Sequence, residues 1–97
     1  MAVIEMFVFS LVPGTDEAAF LEADQRVQTE FSYQQPGLVR RTTARADNGD
    51  WLVLLLWGSG SDAEAASARF GGDTITAAFR ALIDPSTMRT RRFETLD

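Results

Sequence analysis

Two segments of the chain carry apolar residues at nearly every position. The segment from Trp51 to Trp57 has the sequence WLVLLLW, and the segment from Ala2 to Val12 is almost as apolar. Because successive side chains of a strand point to opposite faces of the sheet, each segment predicts a strand with two apolar faces. A half-solvated antiparallel strand would instead alternate apolar with polar residues, so both faces of these two strands need cover.

Helical spacing follows each of these strands. The first stripe of apolar residues consists of Phe20, Ala23, Val27 and Phe31. It predicts a helix that begins near Asp16 and runs to about Tyr33, before the breaking pair Pro36 and Gly37. After Trp57, a Gly-Ser segment and a capping box beginning at Ser61 predict a second helix, which Gly71 and Gly72 split into two parts.

Two further segments are too polar for the centre of a sheet. They run from Leu38 to Ala46 and from Thr87 to about Leu96, and both are rich in arginine and threonine. We interpret them as edge strands. In the first, strict alternation predicts one face made of Leu38, Arg40, Thr42 and Ala44. Asn48-Gly49 predicts a hairpin that joins this strand to the Trp51 strand.

The resulting order, βαββαβ with a split second helix, predicts an α+β fold of the ferredoxin-like type with sheet order 4-1-3-2. In that order the two strands with two apolar faces are the central ones. The 97 residues form a single domain, 1–97, that is too small to cover both sheet faces with helices. The uncovered face would expose Leu52, Leu54 and Leu56. We therefore expect a homodimer whose sheets pack face to face through these leucines, as a dimeric α/β barrel.

Composition removes several classes of function. The net charge of −5 disfavours a nucleic-acid partner, and no apolar run approaches the roughly 18 residues of a membrane helix, so we expect neither partner. The start MAVIEMFVFS lacks the features of a signal peptide, which predicts a cytoplasmic protein. The chain has no histidine or cysteine, and all nine basic residues are arginine. Thiolate chemistry, Schiff-base chemistry and most metal sites are thereby excluded, and we expect no cofactor and no metal.

Several short motifs together resemble a known family. They are Pro13-Gly14 before an acidic helix start, Gln35-Pro36-Gly37 before the second strand, Asn48-Gly49-Asp50-Trp51 in the hairpin, and Trp57 shortly before Ser-Asp-Ala. With the topology, they are similar to the antibiotic biosynthesis monooxygenase domain of the dimeric α/β barrel superfamily. The resemblance spans nearly the whole chain. It implies a homodimer, and an activity such as cofactor-independent, quinone-forming oxygenation or heme degradation.

The resemblance also marks individual residues. Trp57 is similar to the tryptophan that such enzymes place near the end of the third strand, beside a pocket. The asparagine that they carry four residues earlier is absent, because Val53 stands there. The heme-degrading subgroup needs a histidine on the second helix, so heme degradation by that route is excluded.

The candidate site residues each have a structural alternative. Trp57 could line a pocket together with Phe20, Val27, Phe70 and Phe79, or all five could simply fill the core. Tyr33, the only phenol, could donate a hydrogen bond or end a helix in water. The candidates for a catalytic role are Trp57, Tyr33 and the edge-strand arginine Arg89. The other edge arginines are Arg40, Arg41, Arg45, Arg91 and Arg92, and each is either a solvated edge charge or an anchor for an anionic ligand.

Three hypotheses for function remain open. The first is a cofactor-free monooxygenase that acts on a small aromatic or polyketide-like molecule. The second is a ligand-binding or accessory dimer that performs no chemistry, and the third is a scaffold whose core leaves no pocket. The fold alone does not choose between them.

Overall fold

The computed structural model describes all 97 residues and contains one four-stranded antiparallel sheet. Its strands are β1 (Val3–Phe9), β2 (Leu38–Arg45), β3 (Trp51–Trp57) and β4 (Arg89–Glu94). They lie in the order β2-β3-β1-β4, which confirms the predicted ferredoxin-like sheet with the two apolar strands at its centre.

Three helices lie on one face of this sheet. They are α1 (Glu17–Arg26), α2 (Gly60–Phe70) and α3 (Ala77–Leu82), so the second helical region is split as predicted. A π-helical turn (Val27–Phe31) and a 3-10 turn (Ser32–Gln34) extend α1, and a second 3-10 turn (Pro85–Thr87) precedes β4. None of the helices has both the length and the hydrophobicity needed to cross a bilayer.

The central pair of strands aligns residues of like burial. Val3 lies opposite Trp57 and Phe9 opposite Trp51, on the face that the helices cover. The four odd-numbered residues of β3 are buried there, whereas its three even-numbered residues, all leucines, are only half-buried on the opposite, open face. The alternation predicted for this segment therefore matches the burial of every residue in the strand.

Strand β2 departs from the predicted alternation at one residue. Leu38 pairs with Trp57 and Arg40 pairs with Leu56, so Val39 is an extra residue that bulges out of the ladder. The bulge turns Leu38 towards the core on the helical face, away from Arg40. The prediction that Leu38 shares a face with Arg40 was wrong, because one inserted residue reverses every side chain on one side of it.

An aromatic cluster fixes α1 and α3 against the sheet. Phe20 of α1 is fully buried, with its ring centroid 4.7 Å from that of Trp51 and 5.4 Å from that of Phe79. Phe9 meets both Phe20 and Phe79 edge-on. Such pairs contribute roughly 0.5–1.5 kcal/mol each beyond their buried area, so this end of the core is closely packed.

The start of α2 differs from the predicted capping box. The N-cap is Ser59 rather than Ser61, and its hydroxyl accepts a hydrogen bond of 3.2 Å from the main-chain N–H of Asp62. The Asp62 carboxylate in turn accepts from the Ser59 hydroxyl and lies against Gly37. Gly37 has φ of +86°, and its carbonyl accepts a hydrogen bond of 2.8 Å from Gly58. The turn before β2 is therefore locked against the end of β3 and the start of α2.

Replacing Gly37 with alanine should destabilise the protein by more than about 2 kcal/mol. The left-handed backbone costs a residue with a Cβ roughly 1–2 kcal/mol, and the added carbon would lie 2.7 Å from Cβ of Asp62. Gly14→Ala is the matched control, because Gly14 has φ of +84° and no atom near its would-be Cβ. Urea unfolding of both variants measures the difference. Equal losses would show that the contact with Asp62 is unimportant.

Candidate functional site

A cavity of about 760 Å³ lies between the helices and the sheet. Its floor comes from β1 and β3, and its walls come from α2, α3 and the π-helical turn. Thirteen of its 20 lining residues are hydrophobic, which is the composition typical of a small-molecule pocket. The core of this protein is thus not completely filled.

Aromatic side chains form much of the cavity wall. Trp57, Phe70 and Phe79 line it, and Phe31 joins them from the π-helical turn. The Phe31 and Phe70 rings meet edge-on at 5.5 Å, and Phe70 meets Phe79 edge-on at 6.2 Å. These rings offer flat apolar surfaces and positively polarised edges to an aromatic ligand.

Two of the five residues predicted to line the pocket lie elsewhere. Phe20 and Val27 are fully buried in the packed core and are not among the residues that line the cavity. Phe20 stacks on Phe79, so it supports one wall from behind. The structure thus brings three of the five proposed pocket residues to the cavity surface.

A buried carboxylate lies at the cavity floor. Glu5 is only 4% exposed, although it occupies the middle of a central strand. Trp57 Nε1 donates a hydrogen bond of 2.8 Å to its Oε1, and Arg92 Nη2 donates one of 3.0 Å to its Oε2. Arg92 thereby fixes the Glu5 carboxylate, and the carboxylate holds the indole ring of Trp57 in one orientation against the cavity.

Arg92, which holds Glu5, also joins the sheet to α2. Arg92 Nη1 donates to Glu64 Oε1 at 3.4 Å. The hydrogen bond with Glu5 is the main reason that the pKa of the Arg92 guanidinium is raised above its usual value, and Glu64 adds to the rise. A raised pKa means that folding favours the charged guanidinium, so the stabilisation linked to the charge of Arg92 is fully present below the ordinary arginine pKa and is lost as the pH rises through the raised one.

Glu5 is not among the site residues predicted from the sequence, although the sequence carries a signal for it. Glu5 is the only charged residue in the apolar run from Ala2 to Val12. Strand alternation places it with Val3 and Phe7 on the covered face, where an ion must have a partner. The partner could not be found locally, because Arg92 is brought opposite Glu5 only by the pairing of β1 with β4.

Two arginines line the cavity, and only one of them has a carboxylate partner. Arg41 is 4% exposed, and its Nη2 lies 2.7 Å from Asp24 Oδ1. Gln28 and Thr43 accept from its Nη1, so the charge of Arg41 is compensated. Arg80 instead donates to the Thr76 hydroxyl at 3.0 Å and to the Asp73 carbonyl at 3.3 Å.

Arg80 therefore has no carboxylate partner, in contrast with Arg41 and Arg92. The carboxylates of Glu5 and Asp24 are already held by those two arginines. The lining consequently keeps one uncompensated positive charge in mostly apolar surroundings. An anionic oxygen is the natural complement of such a guanidinium. The sequence did not predict that Arg80 lines the cavity, because a helix of six residues is too short for its apolar pattern to show which side chains face the core.

Tyr33 and Arg89 lie away from the cavity. The Tyr33 hydroxyl accepts a 2.8 Å hydrogen bond from the main-chain N–H of Arg41 and donates to the carbonyl of the same residue at 3.3 Å. Arg89 is largely exposed and pairs with Asp50 at 3.0 Å. Neither residue is among those that line the cavity. No group of three or more acidic residues comes close enough to hold a metal ion.

Solved structures share this architecture. SnoaB, a cofactor-independent oxygenase from Streptomyces nogalater, matches with a TM-score of 0.80 at 23% identity, over 99% of this chain and 94% of that one. A protein from Caulobacter crescentus classed with the antibiotic biosynthesis monooxygenases matches with a TM-score of 0.77 at 15% identity, over 99% and 91% of the two chains. The fold is that of the antibiotic biosynthesis monooxygenases.

The resemblance noted in the sequence is therefore confirmed at the level of the antibiotic biosynthesis monooxygenase fold. A protein of the same class from Chloroflexus aurantiacus agrees, with a TM-score of 0.76 at 13% identity over 100% of this chain and 95% of that one. No protein-family model matches the chain, and no curated protein matches it. At these identities the likeness establishes the fold, and an activity has to be argued from the cavity.

Removing the Glu5 carboxylate should release Trp57. In Glu5→Ala the buried indole N–H loses its acceptor, which costs about 1–3 kcal/mol of stability, while Glu5→Gln keeps an acceptor and should cost less. Urea unfolding measures both. In a Trp51→Phe background, the fluorescence anisotropy of Trp57 should fall in Glu5→Ala. Glu64→Gln is the control, because it removes only the exposed partner of Arg92. Unchanged anisotropy in Glu5→Ala would show that Glu5 does not orient the ring.

Proposed function

We propose that the cavity binds a small aromatic, polyketide-like molecule and that the protein is a cofactor-independent monooxygenase acting on it. The observation that carries this proposal is the unpaired Arg80 in a cavity walled by aromatic rings. The shared fold with the oxygenase SnoaB is consistent with it. A scaffold whose core leaves no pocket, another of our hypotheses, would have neither feature.

The reaction that fits these features starts from an electron-rich phenol of the anthrone type. Loss of one proton gives an anion that can reduce dioxygen by one electron, and the resulting radical and superoxide combine to form a carbon–oxygen bond. Cleavage of the oxygen–oxygen bond then releases water and leaves a quinone carbonyl. The carbon is oxidised and dioxygen is reduced, so the balance is one substrate and one dioxygen to one quinone and one water.

The residues of the chain contribute binding and charge. Phe31, Phe70 and Trp57 hold the rings away from bulk water, and Arg80 stabilises the oxyanion in this poorly solvated space. The proton passes to water rather than to Glu5, because both Glu5 oxygens already accept hydrogen bonds from charged or indole donors. Val53 on the floor adds no polar group, so the charge of Arg80 is the main electrostatic aid.

The same Val53 favours a second candidate function. The resembling enzymes carry an asparagine at this position, and valine offers no polar group in its place. A protein that keeps the cavity without the polar group could bind the aromatic molecule and perform no chemistry. The binding proposal is common to both candidates, and oxygen consumption separates them.

We also propose that the protein is a homodimer formed through the open face of the sheet. The centre of this face consists of Ile4, Met6, Val8, Leu52, Leu54 and Leu56, paired across β1 and β3. All six are only half-buried in the single chain, and Phe93 extends the patch at 41% exposed. No segment of the chain covers these residues, and a continuous apolar surface of this kind is typical of an interface. A second copy, placing the same surface against itself, is the simplest cover.

Replacing Arg80 with glutamine should reduce oxygenation by about a hundredfold in kcat/KM, because removing one donor to a developing oxyanion has an effect of about that size. Oxygen uptake with a panel of anthrone-like phenols is the measurement. Arg26→Gln is the control, because Arg26 is exposed and pairs only with Glu30. Binding of the phenols without oxygen uptake by the unmodified protein would identify the accessory function. Absence of binding would refute both candidates.

Replacing Leu54 with aspartate should convert the dimer to a monomer. An unpaired carboxylate buried at the centre of the interface costs about 3 kcal/mol or more, which is over a hundredfold in the dissociation constant. Leu21→Asp is the matched control, because Leu21 is exposed on α1. Analytical ultracentrifugation of the three proteins gives the oligomeric state. A monomeric unmodified protein at micromolar concentration would refute the dimer.

A further inference from the structure

We infer that Ser32 is a specificity-determining residue of the cavity, whose hydroxyl hydrogen-bonds an oxygen of the ligand other than the one held by Arg80. This inference rests on the proposal that the cavity binds an aromatic molecule, and it narrows the class of that molecule. The ligand has an apolar ring system with at least two oxygen substituents, such as a dihydroxylated naphthalene or anthracene.

The first support is the burial of Ser32 without a partner. The residue is 3% exposed and lines the cavity. Its main-chain groups are used, because its N–H donates to the carbonyls of Val27 and Gln28 and its carbonyl accepts from Gln35. Its hydroxyl, in contrast, has no hydrogen-bond partner in the protein. Every side-chain oxygen or nitrogen that is completely inaccessible has a hydrogen-bond partner. Because the Ser32 hydroxyl has none, it must keep a small accessible surface.

The small size of its accessible surface distinguishes Ser32 from the other hydroxyl residues at the cavity. Ser67 and Thr90 also line it, but both are exposed, and bulk water can satisfy their hydroxyl groups. At 3% exposed, Ser32 has much less access to water. A hydroxyl is both a donor and an acceptor, and it is normally paired when buried. A ligand oxygen in the cavity is the partner that this geometry leaves open.

The second support is the backbone that places Ser32. The N–H of Ser32 is shared between carbonyls four and five residues earlier, which marks the π-helical turn. In a regular helix, Val27 and Phe31 would face the core together, and Ser32 would point away from it. The wider turn instead buries Phe31 and Ser32 together, side by side at the cavity wall. Turns of this kind often occur at functional sites, where they direct a particular side chain inwards.

The chemistry of the two polar groups differs. Arg80 is a fixed cation and prefers an anionic oxygen, which is the ionised phenol of the proposed reaction. Ser32 is neutral and can donate to a carbonyl or accept from a second hydroxyl. A ring system with a single oxygen can satisfy one group only. Ser32 therefore selects the more highly oxygenated members of the class.

The test compares one-oxygen and two-oxygen probes. Dissociation constants are measured by fluorescence titration for 2-naphthol and for 1,5-, 2,6- and 2,7-dihydroxynaphthalene. Several isomers are used so that one of them matches the spacing of the two groups. In the unmodified protein we expect at least one diol to bind about tenfold more tightly than 2-naphthol, the size of one hydrogen bond to a buried hydroxyl.

Ser32→Ala should abolish this preference and leave 2-naphthol affinity within about twofold. Ser61→Ala is the matched control, because Ser61 is exposed and does not line the cavity. The unliganded Ser32→Ala protein should melt at the unmodified temperature or above it, since a hydroxyl with no partner is lost. A fall in melting temperature with no change in preference would indicate a structural role and overturn the inference.

The remaining outcomes separate this inference from the proposed function. If 2-naphthol binds but no diol is preferred, or if the preference survives in Ser32→Ala, the role of Ser32 is refuted and the aromatic cavity stands. If none of the naphthols binds, the proposed function fails, and the role of Ser32 fails with it.

Discussion

The antiparallel pairing of β1 with β3 is the constraint on which the rest of this molecule depends. It places Val3 opposite Trp57 and Glu5 opposite Leu55, so a carboxylate and an indole lie side by side on the covered face. The same pairing brings Met6 opposite Leu54 on the open face and forms the apolar surface there. A shift by one residue would exchange the two faces, burying the leucines and removing Glu5 from the cavity. Site and proposed interface are thus two consequences of one register.

The two tryptophans of β3 show how one strand can serve both packing and binding. Trp51 is covered by the Phe20 ring at 4.7 Å and by the guanidinium of Arg45, 5.7 Å from its own ring. Trp57, at the other end, is equally buried but faces open space and is held by Glu5. Helix α1 carries its large aromatic residue over the Trp51 end only. One wall of the cavity comes from α2, which contributes small residues such as Ala66 and Ser67.

The charged residues at the cavity differ in whether they have an ion-pair partner. A buried ion is stable only when it is paired, and the chain pairs Glu5 with Arg92 from the sheet edge and Arg41 with Asp24 from α1. Arg80 is left to main-chain and hydroxyl acceptors on its own side of the cavity. The cavity therefore contains one cation without a carboxylate partner, Arg80, and one buried hydroxyl without a partner in the protein, Ser32. We propose that these two groups select the oxygen atoms of the ligand.

The sequence by itself determined the element order, the central position of β1 and β3, the split second helix and the uncovered leucine face, because these follow from periodicities and turn residues that act over a few positions. It also indicated Trp57, through a resemblance confirmed for the fold. It did not determine the bulge at Val39, the π-helical turn that buries Ser32, or the N-cap at Ser59, since each depends on which alternative packs better against the rest of the protein. The Glu5–Arg92 pair joins residues that are 87 positions apart, and the unpaired state of Arg80 depends on carboxylates held elsewhere. Only the tertiary structure decided these features, because burial and pairing are properties of surroundings that no local pattern contains.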